Sequence, residues 1–248
     1  MKILVLVKRV PDTAASIRIT GEGASIAQDV EWVMSPYDEM AVEEAVRIKE
    51  RAGAEVVAVS LAPEGAVSHI RLALEMGADR AVHLVDSQPD RDAWSTAKAL
   101  AEVVKEEAPD LVLAGRTAVD MDQSFVAPAV AALLGLPFLS SAVKLDLEDG
   151  KAVVRRETEG GHEVLEAPLP CVVTAQKGIN EPRYPSLKSK IKAKKKKVDT
   201  RPAPEFEALV KLETLAYPPQ RQAGRILGEG VEAVPELVRV LSEEVKII

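Results

Sequence analysis

Short, unbroken apolar runs alternate with helically spaced apolar positions through the first 140 residues. KILVLV (2–7), EVVAVSL (55–61), AVHLV (81–85) and DLVLAG (110–115) hold consecutive apolar residues instead of alternating, which predicts strands covered on both faces of a parallel sheet. Between the first two, Pro36 to Glu50 sets Ala41, Ala45 and Ile48 along one side of a helix, with Glu43, Glu44, Lys49 and Glu50 mostly elsewhere. A second helix runs around Val67, Leu72 and Leu74 and ends at Gly77, and a third runs from about Asp92 to Glu107. This alternation predicts an α/β fold with right-handed crossovers: a Rossmann-like, mostly parallel sheet sandwiched by helices.

The rhythm changes after Gly135. KLDLEDGKAVVRRETEGGHEVLEA (144–167) carries an Asp149-Gly150 turn between two strand-like segments and Gly160-Gly161 before a third, which predicts a small antiparallel extension. PCVVTA returns a strand to the core. Beyond Asn180, helices are expected near 187–196, 204–212 and 231–244, with PAPEF and YPPQRQAG as surface-crossing links. The expected division is an α/β domain over 1–185, of nucleotide-binding type, and a basic helix with a tail over 186–248.

Residues 123–143 hold no charge over a length that would span a bilayer, but Pro128, Gly135 and Pro137 divide them, so a buried helix followed by a strand is expected. In MKILVLVKRVPD the charges of Lys8 and Arg9 follow the apolar run and no small-residue cleavage pattern appears, so it reads as a first strand and not a signal peptide. A cytoplasmic protein is the expectation. Cys171, the only cysteine of 248 residues, excludes an intrachain disulfide and reads as an inert core thiol.

Charge changes the picture at one place. The chain is formally −7, yet INEPRYPSLKSKIKAKKKKVD (179–199) holds eight of the 32 Lys and Arg and two of the 39 acids. Everything outside the tract is therefore strongly acidic, which argues against a nucleic-acid-binding domain. Pro182 and Pro185 stiffen the approach, Ser186 can cap a helix starting at Leu187, and Leu187 and Ile191 fall one turn apart among lysines, with Val198 extending the apolar side. Two readings stand on residues alone: charges that speed encounter with an acidic partner around one inserted leucine, or a merely solvated helix.

Catalytic chemistry is hard to find. His69, His83 and His162 are far apart, no Cys and His spacing suits zinc, and no residue identifies itself as a general acid or base. Neither GxGxxG nor GxxxxGK[ST] occurs. Three loops at strand carboxyl ends nevertheless outline a nucleotide pocket: Val10-Pro11-Asp12, Ala62-Pro63-Glu64-Gly65, and the AVDMDQS segment with Asp120 and Asp122. Asp120 either holds its loop, caps the following helix or lines a ligand; a carboxylate suits ribose hydroxyls better than phosphate.

NEPRYPSL followed by IKAKKKKVD resembles the signature of the beta subunit of electron transfer flavoproteins. VLVKRVPDT (5–13), SPYDEMAVEEAVRIKE (35–50), ALEMGADRAVHL (73–84), PDLVLAGRTAVD (109–120) and PPQRQAG (218–224) extend the resemblance along nearly the whole chain. It implies an electron carrier, not an enzyme, built as an alpha–beta heterodimer whose C-terminal tail embraces its partner. The alpha subunit would hold most of a redox-active FAD, and this chain a structural AMP. Dehydrogenases such as acyl-CoA dehydrogenases would supply electrons, which pass on toward a membrane quinone oxidoreductase.

By the same resemblance Leu187 is an anchor entering a pocket on the dehydrogenase, within a recognition segment of Tyr184 to Lys197 that includes Ile191. Val10, Ala62, Gly115, Asp120, Asp122 and Ser124 become candidate AMP contacts, and Thr13 falls near the flavin. Two departures stand out. Ser35-Pro36 replaces the usual NP, and the DGDTGQ-like ligand loop reads Asp120-Met121-Asp122-Gln123-Ser124-Phe125, leaving Phe125 either to pack in the core or to reshape the site. The alternative to the carrier is a standalone adenine-nucleotide-binding or sensing protein. A hydrolase or ligase lacks a catalytic constellation.

Overall fold

The computed structural model describes residues 1–21, 25–88, 91–221 and 223–248. In chain order the first half gives strands β1 (Lys2–Leu6), β2 (Arg9–Pro11), β3 (Ile19–Thr20), β4 (Ser25–Ile26) and β5 (Trp32–Met34), helix α1 (Pro36–Ala52), β6 (Glu55–Ala62), α2 (Ser68–Met76), β7 (Arg80–Val85), α3 (Ala93–Glu107), β8 (Leu111–Gly115) and α4 (Val126–Leu134). Strands β9 (Phe138–Glu148), β10 (Lys151–Thr158), β11 (Gly161–Pro168) and β12 (Cys171–Ala175) follow, then α5 (Leu187–Ala193), β13 (Val198–Pro202) and α6 (Val234–Arg239).

Among the described residues nine strands form one sheet, ordered β11-β10-β9-β12-β8-β1-β6-β7-β13. From β9 to β13 every neighbouring pair is parallel, while β10 pairs antiparallel with both β9 and β11. Alternate residues of β1 explain its unbroken apolar run. Ile3 and Val5 face a core shared with Ala41, Ile48 and Ile70 of α1 and α2, whereas Leu4 and Leu6 face one shared with Leu100 and Val130 of α3 and α4. Both faces are covered, so each buried Ile, Leu or Val contributes about 1.5–3 kcal/mol wherever it points.

Local chemistry sets the helix ends. Pro36 opens α1, where its missing N–H costs nothing, and Gly53 closes it in the left-handed region at φ 75°. Asp92 and Ser95 form a reciprocal capping box at the start of α3. The Asp149-Gly150 hairpin has positive φ at both residues, as a tight two-residue turn requires.

Several expectations are corrected. Residues 204–212 form no helix. Asp92 instead accepts hydrogen bonds from the Leu209 and Val210 N–H groups, and Gln88 donates to the Phe206 carbonyl, so the segment is strapped to the start of α3. Helix α5 stops at Ala193, and Val198 does not extend its apolar side, because it begins β13 and pairs with Ala81. Glu43 and Glu44 are buried although their helical positions read as solvent-facing, because residues 180–183 hydrogen-bond across that side of α1.

Met1–Thr214 and Leu215–Ile248 are separate compact units. The basic helix lies in the first, since β13 completes the sheet beyond it. That boundary falls later than residue 186. In the second unit none of the described residues is buried, and Tyr217, Ile226, Val231, Leu237 and Ile247 are exposed. Gln222, within the PPQRQAG motif, lies outside the described residues. Among the described residues no helix is long and apolar enough to cross a membrane.

Candidate functional site

The carboxyl ends of β1 and β8 are joined by one buried carboxylate. Asp38, in the first turn of α1, accepts from the Lys8 N–H at 2.7 Å and from the Gly115 N–H at 2.9 Å. Burial pushes its pKa up; the two N–H donors and the Lys8 charge pull it down and Asp120 pushes it up again, leaving it at about 7. Gly115 has to be glycine for this packing: a Cβ there would stand 2.4 Å from Asp38 Oδ1 and 2.7 Å from Tyr37 Cβ. Lys8 adds a second tie between the same strand ends through an ion pair of 2.7 Å with Asp120.

Asp120 therefore holds its loop. It also accepts from the Met121 N–H and does not cap α4, whose N-cap position is Phe125. Asp122 adopts φ 48° and accepts from Thr117 Oγ1 at 3.3 Å. Ser124 is exposed, and so is Phe125 at 45 %. The core-packing reading of Phe125 is thus overturned: α4 turns Ala127, Val130 and Ala131 inward, while Phe125, at the N-cap just before it, stays at the surface. Met121 and Phe125 thus both present apolar side chains to solvent on this loop.

On the other side, Val10 is fully buried in β2 opposite Val33 of β5, while Thr13 is exposed beyond it. Ala62 is buried at the end of β6, where its carbonyl accepts from His83 Nε2 at 3.1 Å and from the Asp86 N–H at 2.9 Å. His69 Nε2 lies 2.6 Å from Ser60 Oγ. Burial first, then the charges of Arg9 and His83, lower the His69 pKa to about 4 and keep the ring neutral. Both residues of this pair are sealed from solvent, so it has no substrate access.

The basic tract forms a separate surface. Ser186 caps α5 by accepting from the Ser189 N–H. Tyr184 is 88 % exposed and Leu187 81 %, with Ile191 exposed one turn on and the Lys190 ammonium 5.0 Å from the Tyr184 ring centroid. Ala193, on the inner side, is buried. Arg183 and Lys196 turn inward to bind the body of the domain. Sequence reasoning missed Asp38 and Arg183. Asp38 was detectable, because it shares a helical face with Ala41, Ala45 and Ile48; Arg183 had no local signal, because its partners lie about 140 positions away.

The chain as a whole is similar to known proteins. The model of the electron transfer flavoprotein domain matches residues 23–206. Electron transfer flavoprotein subunit beta of Bacillus subtilis is 40 % identical over all of both chains. The subunits of the same name from Mus musculus (39 % identical, 98 % of this chain and 97 % of the relative) and Dictyostelium discoideum (38 %, 96 % and 97 %) are similar over nearly their full lengths. The chain belongs to the electron transfer flavoprotein beta-subunit family, and is an electron-transfer carrier subunit and not an enzyme.

Proposed function

We propose that this chain pairs with an alpha subunit holding most of an FAD, docks dehydrogenases such as acyl-CoA dehydrogenases through Leu187, and holds AMP as a structural ligand in the strand-end crevice. The bound flavin would supply the redox chemistry, taking electrons from the dehydrogenase and yielding them toward a membrane quinone oxidoreductase. The observation that carries the docking assignment is one leucine, 81 % exposed, displayed among lysines on a chain of net charge −7. Lysine charges act at a distance to raise encounter rates, and a desolvated apolar anchor acts only in contact.

An adenine nucleotide is supported by the donor set. The first turn of α4 leaves the Val126 and Ala127 N–H groups without intrahelical partners, Ser124 offers a hydroxyl, and Asp122 offers acceptors suited to ribose on the loop that Asp120 holds through Lys8 and Met121. Ser35 Oγ, at the α1 N-cap, is buried without a hydrogen-bond partner. Val10, Ala62 and Gly115 would meet such a ligand through backbone atoms, and Thr13 would face the flavin. The tail supports a heterodimer: a segment that buries none of its described apolar side chains fits a chain that wraps a partner, whereas a standalone nucleotide sensor leaves it unexplained.

Co-expression with the alpha subunit, flavin absorption and analysis of nucleotide released on denaturation test the assembly. One FAD and one AMP per heterodimer are expected; failure to form a flavin-containing complex would sink the proposal. Leu187→Ala should raise the KM for a reduced acyl-CoA dehydrogenase by roughly 30-fold, the effect of about 2 kcal/mol at an interface hot spot, with flavin content unchanged.

A further inference from the structure

The docking segment is bolted to the domain at both ends, and the bolts are residues of the basic tract itself. At the entry, Asn180 Nδ2 donates to the Met40 carbonyl at 3.0 Å and to Glu44 Oε2 at 3.1 Å. Arg183 then spans two carboxylates of α1. Its Nε and Nη2 donate to Glu43 at 2.8 and 3.1 Å, and its Nη1 and Nη2 donate to Glu50 at 2.6 and 3.0 Å. The Arg183 backbone N–H adds a bond to Glu43 at 3.2 Å. At the exit, Lys196 Nζ donates to the Leu74 and Ala78 carbonyls at the end of α2.

Between these bolts the chain is seated inward by Pro185 and Ala193, both buried, and outward it shows Tyr184, Leu187 and Ile191. An exposed loop of this length would otherwise sample many conformations, and a partner would meet the cost of ordering it. The Glu43 side chain is almost wholly buried, and Arg183 shares its neutralisation with Arg47, each 2.8 Å from the carboxylate.

We infer that Arg183 is a positioning residue for docking: by clamping residues 180–186 to Glu43 and Glu50 it presents Leu187 in its bound pose before the partner arrives. This rests on the docking reading above. Arg183 turns inward, so its influence on the partner passes through Leu187. A guanidinium suits the task because its planar fork serves both carboxylates at once, which a lysine ammonium does not.

The test is a double-mutant cycle on the flavin-loaded heterodimer, with a reduced acyl-CoA dehydrogenase as electron donor. Arg183→Ala should raise KM about tenfold, with kcat and the flavin spectrum unchanged, and Arg183→Lys should fall between it and the native protein. In the Arg183→Ala background, Leu187→Ala should add less than about threefold, because the anchor is no longer held in place. Additive effects, or an unchanged KM in Arg183→Ala, overturn the inference while leaving Leu187 as the anchor. A Leu187→Ala single variant with native KM overturns the docking reading and this inference together. Should Arg183→Ala fail to assemble, Glu50→Gln keeps the buried Glu43 pair and should raise KM about twofold; a native KM there counts against the clamp.

Discussion

Asp38 makes the stability of this domain depend on pH in an unusual direction. Its carboxyl is pushed up from 3.8 to about 7, with burial the largest cause. A rise of roughly three pH units is worth about 4 kcal/mol at about 1.4 kcal/mol each. The folded chain holds this proton up to about pH 7, whereas the unfolded chain releases it near pH 4. Folding therefore takes up a proton in that window, and the contribution of Asp38 to stability falls as pH rises through it.

The comparison that isolates the effect is native protein against Asp38→Asn. Asparagine keeps one acceptor but turns an NH2 toward an N–H, a cost that does not vary with pH. Urea unfolding followed by tryptophan fluorescence at several values between pH 4.5 and 8.5 should show the native protein losing up to about 4 kcal/mol relative to the variant as pH rises to 7, and no more beyond. A difference constant to within about 0.5 kcal/mol across the range would refute the reasoning, because the carboxyl would then be ionised throughout.

Two further perturbations act on neighbouring parts. Gly115→Ala drives a Cβ against Asp38 and the Tyr37 backbone, and overpacking of this kind should cost roughly 1–3 kcal/mol, read as a lower Tm. Asp92→Ala removes the cap of α3 and should cost about 1 kcal/mol, with faster hydrogen exchange at the Leu209 and Val210 amides that Asp92 accepts from. Burial opposes ionisation of Asp92, but its hydrogen bonds from Ser95, Leu209 and Val210 hold the pKa at about 2. That stabilisation is complete above about pH 4 and is lost as pH falls toward 2.

What could be read from the chain depended on whether a residue's surroundings were set locally. The central strands were legible because two buried faces demand apolar residues at every position, as in VVAV of β6. The antiparallel extension was legible from its turns. Strand β13 was not: VDTRP is an edge strand with one neighbour, so its backbone pairing with β7 leaves no apolar signature. Asp38 was passed over because a carboxylate on a helix is read as solvent-facing, yet two backbone donors at the strand ends make a buried position tenable. Phe125 went the other way, an aromatic left outside because its loop ends before α4 begins to bury side chains.

The basic tract shows why a charge count is a poor description of a surface. Of its eight cations, Arg183 is committed to Glu43 and Glu50, and Lys196 to two carbonyls at the end of α2. Lys190 stands over the Tyr184 ring. Exposed charge remains on Lys188, Lys192, Lys194, Lys195 and Lys197, all on one short stretch. These act over roughly a Debye length of 8–10 Å in physiological salt, enough to bias approach but not to set a pose. Pose has to come from something short-ranged and stiff, and the two inward cations make the segment stiff by exchanging their steering value for a fixed backbone. Under the docking proposal, the same residue types in one run thus divide into those that would attract a partner and those that would hold still the leucine it meets.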